Sequence, residues 1–224
     1  MAIPKEALDQ MELLIFDLDG TLVDSEVDLA NSVNATLQEI GRKPLSMERI
    51  ASYVGQGVAV LVSRALGAEA APEEVEQAKE IFLKHYRAHM LDHTATYPGV
   101  REALADLGNR KMAVLTNKPV NFSRAMLSGL GLAGCFVRIY GGNSFENKKP
   151  DPIGINRLME ETEVTASRTL MIGDSISDVL AGRNAGVWTC GVNYGFGSPA
   201  LDEAAPDMRV DDLRELPQLL NGKS

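Results

Sequence analysis

Little in this chain points to an oxidising compartment, a membrane or a nucleic acid. It has two cysteines, Cys135 and Cys190, far apart and in no C-x-x-C or zinc spacing, so they read as small apolar residues of a reducing compartment. Basic residues are the minority, 22 Lys and Arg against 31 Asp and Glu, for a formal net charge of -9. A surface that grips nucleic acid or anionic lipid needs clustered cations, and this balance argues against both partners. No apolar run approaches the roughly 20 residues of a membrane span, and Met1 to Gln10 lacks the basic-then-apolar pattern of an export signal. A cytoplasmic protein is expected. Aromatics are few, 5% of residues with one Trp, and neither a repeat nor a low-complexity segment interrupts the chain. Nothing in the sequence sets the oligomeric state.

What is present begins with Leu13-Leu14-Ile15-Phe16, an apolar run that delivers Asp17-Leu18-Asp19-Gly20-Thr21 to the end of a strand. Residues two apart on an extended segment point the same way, so Asp17 and Asp19 can converge on one site while Gly20 allows a sharp turn. Taken alone, the pair also fits a simple Asx turn. A calcium loop is set aside, because counting from Asp17 the twelfth position is Asp28 rather than Glu.

Apolar periodicity then predicts helices over Val27–Ile40, Ser46–Val54, Val58–Leu66 and Glu73–Leu91, the last opened by Pro72, with no strand between them. Beyond Pro98-Gly99 strands and helices alternate. A helix runs to about Asn109, followed by strand Met112–Leu115, helix Asn121–Leu130 and strand Phe136–Tyr140. Helix Pro152–Glu161, strand Thr169–Ile172, helix Ile176–Ala185 and strand Val187–Val192 come next, with a short helix after Ser198-Pro199 and a last one over Asp211–Leu220, started at Asp211-Asp212. This alternation predicts a parallel sheet covered on both faces. The first strand joins it, which leaves 1–22 and 95–224 as the core and 23–94 as an inserted helical domain. Met112, Met171 and Trp188 read as core. His85, His89 and His93, spaced four apart, read as a solvated or interface stripe on one helix rather than a zinc site.

Sites in such sheets form outside the carboxyl ends of the strands, and four strand ends here carry polar residues. Asp17 and Asp19 follow the first, Thr116-Asn117-Lys118 the second, Lys148-Lys149 the third with its loop, and Asp174 the fourth. The set suits a phosphate monoester. At about 4 Å a carboxylate and a phosphate repel by about 4 kcal/mol per pair of unit charges at an effective dielectric near 20. Asp17 and Asp174 holding Mg2+, with Lys149, would offset that repulsion. Thr116 and the backbone N–H groups of Leu18, Asp19 and Asn117 would take phosphate oxygens. Asp17 would act as nucleophile and Asp19 as general acid, then base. Lys148 reads as solvated.

Together D-L-D-G-T (Asp17–Thr21), Thr116 in L-T-N-K-P, Lys149 in K-K-P-D-P, and Asp174 and Asp178 in G-D-S-I-S-D resemble, in order and spacing, the four motifs of the haloacid dehalogenase superfamily. The resemblance implies a Rossmann-like doubly wound parallel sheet with an all-helical cap. It also implies a second metal contact through the Asp19 carbonyl and an outlying role for Asp178 at the metal. Within the superfamily, Y-V-G-Q-G-V-A-V-L-V-S-R-A-L (Tyr53–Leu66), G-G-N-S-F-E-N-K-K-P-D-P (Gly141–Pro152) and N-Y-G-F-G (Asn193–Gly197) are similar to the phosphoglycolate phosphatase subgroup. The expected partner is therefore a small phosphorylated substrate, with the backbone N–H groups of Gly55, Gln56 and Gly57, and Arg64 or Lys118 nearby, at its carboxylate end. A pyrophosphatase or a broader sugar-phosphate or nucleotide phosphatase shares the motifs. A non-catalytic phosphate-binding regulator would have no need of both Asp17 and Asp19.

Overall fold

The computed structural model describes residues 3–222; Met1, Ala2, Lys223 and Ser224, which the expected core segments include, lie outside that range. A short helix α1 (Lys5–Leu8) leads into β1 (Leu13–Phe16), whose four side chains are fully buried. The chain leaves the sheet through β2 (Val23–Asp24), forms four helices, α2 (Glu26–Glu39), α3 (Met47–Ala51), α4 (Val58–Leu66) and α5 (Pro72–His89), and returns through β3 (Ala95–Thr96). Then come α6 (Val100–Asp106), β4 (Lys111–Leu115), α7 (Val120–Gly129), β5 (Arg138–Tyr140), α8 (Ile153–Thr162), β6 (Thr169–Gly173), α9 (Ile176–Asn184) and β7 (Trp188–Val192). The chain closes with α10 (Leu201–Ala204), β8 (Met208–Val210) and α11 (Glu215–Leu220).

Six strands form one parallel sheet in the order β5-β4-β1-β6-β7-β8. Its register decides where chemistry can happen. Phe16 lies beside Val114 on one side and Ile172 on the other, so the residues after β1, β4 and β6 emerge at one level. Side chains alternate between the two faces. Leu13, Ile15, Ala113, Leu115 and Met171 pack with Ile155 and Leu158 of α8 and Ala181 of α9. Leu14, Phe16, Val114 and Ile172 share the other, larger core with α6, α7 and α11. That second core does not stop at the sheet. It runs on through Leu29, Val33, Leu61, Phe82 and Tyr86 of the four-helix segment, so one apolar mass joins the insert to the strands.

Five sequence expectations change on the structure. No strand lies between the four helices, as expected, but the insert read as all-helical opens with β2, which pairs antiparallel with β3 just past its end, Val23 opposite Thr96; two-residue strands leave no periodicity to read. The edge strand β8, three residues long, escaped for the same reason. Helix α5 ends at His89, so His85 and His89 share one of its faces while His93 falls beyond its end. Each meets its own carboxylate at 2.8 Å: His85 with Glu39, His89 with Asp92, and His93 with Asp28. Asp211-Asp212 do not start the last helix: their N–H groups donate to Glu215 Oε1, and α11 begins at Glu215. Trp188 is half-buried, its indole N–H donating to the Ser167 carbonyl at 3.2 Å, whereas Met112 and Met171 are buried.

Candidate active site

Asp17 sits one residue past β1, and its backbone N–H continues the sheet by donating to the Ile172 carbonyl at 2.9 Å. Its carboxylate is buried with those of Asp174 and Asp178, one oxygen from each within 4.8 Å of the others. A single ammonium, Lys149, enters this group from the loop after β5. It donates to Asp178 Oδ1 at 2.5 Å and stands 2.9 Å from Asp17 Oδ1 as a charge contact without hydrogen-bond geometry. Asp17 Oδ1 consequently accepts no hydrogen bond although it is buried.

The electrostatics follow from three acids against one base. Burial, opposed by Lys149 and reinforced by Asp178, pushes the Asp17 carboxyl up to about 6. Burial and the neighbouring Asp17 and Asp178 push Asp174 well above the carboxylate range. Lys149 would lose its proton more easily from burial alone, but Asp17 and Asp178 more than reverse this and raise it. Buried charge of one sign in excess is costly unless a cation joins it. An all-oxygen donor set with one orphaned acceptor is what a hard divalent cation takes, so the residues fit such an ion.

The three acids differ in how much of them remains free. Ser175 caps α9 in a capping box, with Asp178 Oδ2 accepting from its N–H at 3.0 Å and its hydroxyl at 2.6 Å. Both Asp178 oxygens are thus engaged within the protein. Asp174 Oδ2 accepts one bond, from the Gly197 N–H at 2.8 Å. Two glycines let the backbone close on it: a Cβ at Gly20 would lie 2.2 Å from Asp174 Oδ2, and one at Gly195 2.2 Å from Asp174 Cβ. Gly20 also needs its positive φ of 84° to turn the chain after Asp19.

Asp19 and Asp17 both line a cleft between the strand ends and the insert, with about 510 Å3 of empty space counted to its open mouth. Ser25 Oγ donates to Asp19 Oδ1 at 2.6 Å, and Lys118 Nζ to both oxygens at 3.0 Å. Lys118 also reaches Tyr86 of α5 at 2.6 Å. Thr116 lines the same cleft, its Oγ1 accepting from the Lys118 N–H at 3.3 Å. The Leu18 side chain is fully buried. Asn117 staples the insert to the core, donating to the carbonyls of Gly55 at 2.9 Å and Lys149 at 3.1 Å.

The insert's share of the site differs from the sequence expectation. Gly55 and Gly57 line the cleft, both at positive φ. The Arg64 side chain does not: it donates to Gln56 Oε1 at 3.1 Å on the exposed surface. Lys148, read as solvated, is exposed along its stem but donates to the Gln56 carbonyl at 2.5 Å. The remaining wall is apolar, built by Leu29, Val58, Leu61 and Phe82 with Phe122 of the core. Tyr86 and Ser25 went unnoticed in the sequence. Tyr86 carries the spacing of an ordinary core residue of an amphipathic helix, and no local signal separates it from Phe82. Ser25 stands six residues after Asp19, outside any motif.

Against known proteins, the haloacid dehalogenase-like hydrolase family model matches residues 14–192. The phosphoglycolate phosphatase of Pseudomonas fluorescens is 42% identical over 214 residues, covering 91% of this chain and 78% of that protein. The phosphoglycolate phosphatase of Vibrio cholerae is 38% identical over 221 residues, covering 93% and 96%. Among solved structures, one described as a predicted phosphoglycolate phosphatase from Haemophilus somnus superposes with a TM-score of 0.89 at 30% identity, covering 94% of this chain and 98% of that one. Sequence, fold and strand-end acids therefore agree that this chain belongs to the haloacid dehalogenase-like hydrolases.

Proposed function

We propose that this phosphoric monoester hydrolase acts on 2-phosphoglycolate, releasing glycolate and inorganic phosphate through an aspartyl-phosphate on Asp17. The observation that carries the reading is the buried Asp17 carboxylate, one oxygen unpartnered, between a lysine and two further acids and beside a second acid that faces the cleft. Asp17, Asp174 and the Asp19 carbonyl would hold Mg2+, with Asp178 fixing Lys149 and the start of α9 rather than binding the ion directly. Bound there, the ion would offset the repulsion between the Asp17 carboxylate and the phosphate dianion.

In the first displacement an Asp17 oxygen attacks phosphorus in line. The ester P–O bond breaks, and the departing alkoxide takes a proton from Asp19. Thr116, Lys149 and the backbone N–H groups near Leu18 and Asn117 hold the phosphoryl oxygens. In the second, Asp19 takes a proton from water, the resulting hydroxide attacks phosphorus, and the bond to Asp17 breaks. Inorganic phosphate leaves and Asp17 is regenerated.

Residues 23–94 act as a cap that admits substrate and then excludes bulk water. Lys118 is the one Lys or Arg side chain that lines the cleft among the described residues; with its three donors held by Asp19 and Tyr86, it would attract the glycolate carboxylate through its charge alone. A second phosphoryl group, as in pyrophosphate, would instead press charge against Leu29, Val58, Leu61 and Phe82, so the apolar wall favours a short carbon leaving group. The names of the relatives at 42% and 38% identity point the same way.

The test is a kcat/KM panel of 2-phosphoglycolate, pyrophosphate, nucleotides and sugar phosphates, with Mg2+ and after chelation. We expect 2-phosphoglycolate to lead by at least about tenfold, which corresponds to about 1.4 kcal/mol of transition-state preference, and turnover to vanish without metal. A flat profile overturns the substrate; turnover in chelator overturns the metal.

A further inference from the structure

A line of polar contacts runs from the insert to the acid beside the nucleophile. It starts at Tyr86, on α5, and passes through Lys118 Nζ at 2.6 Å to Asp19, whose two oxygens are each 3.0 Å from that nitrogen. An ammonium has three N–H donors, and Lys118 has a partner for each. Tyr86 and Lys118 are only 2% and 6% exposed, so water has little access to replace a lost partner.

The tyrosine is held as firmly as the lysine. Its ring stacks on Phe82 with centroids 5.4 Å apart and leans on Phe122 of the core at 5.6 Å. Burial pushes its hydroxyl pKa up to about 12, so near neutrality it remains an uncharged acceptor for Lys118. Among the described residues of the insert that line the cleft, Tyr86 is the only one with a polar side chain. The contact exists only while α5 is seated against the core.

We propose that Tyr86 is a positioning residue for proton transfer: its hydroxyl orients the Lys118 ammonium, and Lys118 with Ser25 orients the Asp19 carboxylate toward the leaving group. The position of the insert is thereby read out at the catalytic acid, and the acid is in place only when the cleft is closed. This inference rests on Asp19 being the group that protonates the departing oxygen.

Three esters without a carboxylate test it: ethyl phosphate, phenyl phosphate and 4-nitrophenyl phosphate. Their leaving groups need a proton in falling order, and none can engage Lys118 through a carboxylate. Because kcat/KM reports steps up to departure of the alcohol or phenol, Tyr86→Phe should lower it by about tenfold for ethyl phosphate and by less than about threefold for 4-nitrophenyl phosphate. Lys118→Met should show the same graded loss, and both variants should melt within a few degrees of wild type. Equal losses across the series, or none, would overturn the role of Tyr86. Asp19→Asn supplies the separate control. A graded loss there with a flat one in Tyr86→Phe refutes only the tyrosine. A flat loss in Asp19→Asn removes Asp19 as the acid and the inference with it.

Discussion

The two sides of the cleft are built on different physics. The side that would hold the metal and phosphoryl group is charged and buried. Its residues come from three strand ends and one loop of a single sheet, and backbone hydrogen bonds set their places: the Asp17 N–H on Ile172, the Gly197 N–H on Asp174, the Ser175 N–H on Asp178. The side that would face the leaving group sets Asp19, Lys118 and Tyr86 among apolar residues, with Ser25 behind Asp19, and half of it belongs to an insert joined to the sheet by side-chain packing. The first side can be rigid because the sheet makes it so. The second is held by side chains: Asn117 on Gly55, Lys148 on Gln56 and Lys118 on Tyr86 hold its loop and helix down.

Breaking the charged side should have the largest effect. Asp17→Asn is expected to cut kcat by at least about a thousandfold while circular dichroism stays unchanged, since it removes the attacking oxyanion and no packing; near-normal turnover in the folded variant would mean that the nucleophile lies elsewhere. Gly195→Ala should be next. Its Cβ has no room beside Asp174, so Mg2+ affinity measured by calorimetry should drop about 10- to 100-fold, and an unaltered affinity would show that Asp174 is not held by this loop.

A pH comparison sharpens the same side. With the Asp17 pKa at about 6 in the fold against an ordinary 3.8, the proton is bound more tightly in the native state. Its contribution to stability is complete below about pH 4 and lost as pH rises through about 6. Without metal, wild type should therefore lose stability relative to Asp17→Asn over that interval. Added Mg2+, which competes with the proton, should raise the melting temperature more at pH 7.5 than at pH 5. An equal rise at both would deny that the ion and the proton share these acids. The smallest effect belongs to the other side: Arg64→Ala should change KM for 2-phosphoglycolate by less than about twofold, because Arg64 is engaged with Gln56 on the surface. A tenfold rise would put its guanidinium on the substrate in the working enzyme.

How much of this could be read beforehand follows the same division. Strands β1, β4, β6 and β7 and helices α2, α4, α5, α7, α8 and α9 announce themselves through apolar period, and the polar residues after each strand could be placed at the carboxyl ends of one parallel sheet before any coordinates, though the strand order within it could not. Local rules govern such segments. The pieces that were missed, β2, β3 and β8, are two or three residues long, too short for a period, and exist because a partner strand is already there. Helix α3 came out shorter than its pattern, ending at Ala51, where the chain turns toward the glycines at 55 and 57 that lie against Asn117 and Lys148. His93 failed as a helical neighbour of His89 because Asp28, 65 positions away, receives its ring nitrogen and backbone N–H.

By itself the sequence determined the chemistry and the platform. Carboxylates at strand ends, glycines at tight turns and a hydrophobic period that switches between helix and strand are all local, and local order survives being read one residue at a time. Only the tertiary structure decided what surrounds that chemistry: that Arg64 turns away, that Lys118 spends its three donors on Asp19 and Tyr86, and that the insert closes the cleft with a wall of Leu, Val and Phe. Those outcomes depend on which buried side chains meet across long stretches of chain, 32 positions for Tyr86 and Lys118 and 99 for Lys118 and Asp19. A buried hydroxyl or ammonium takes whatever partner the packing brings within 3 Å, and spacing along the chain carries no record of that meeting.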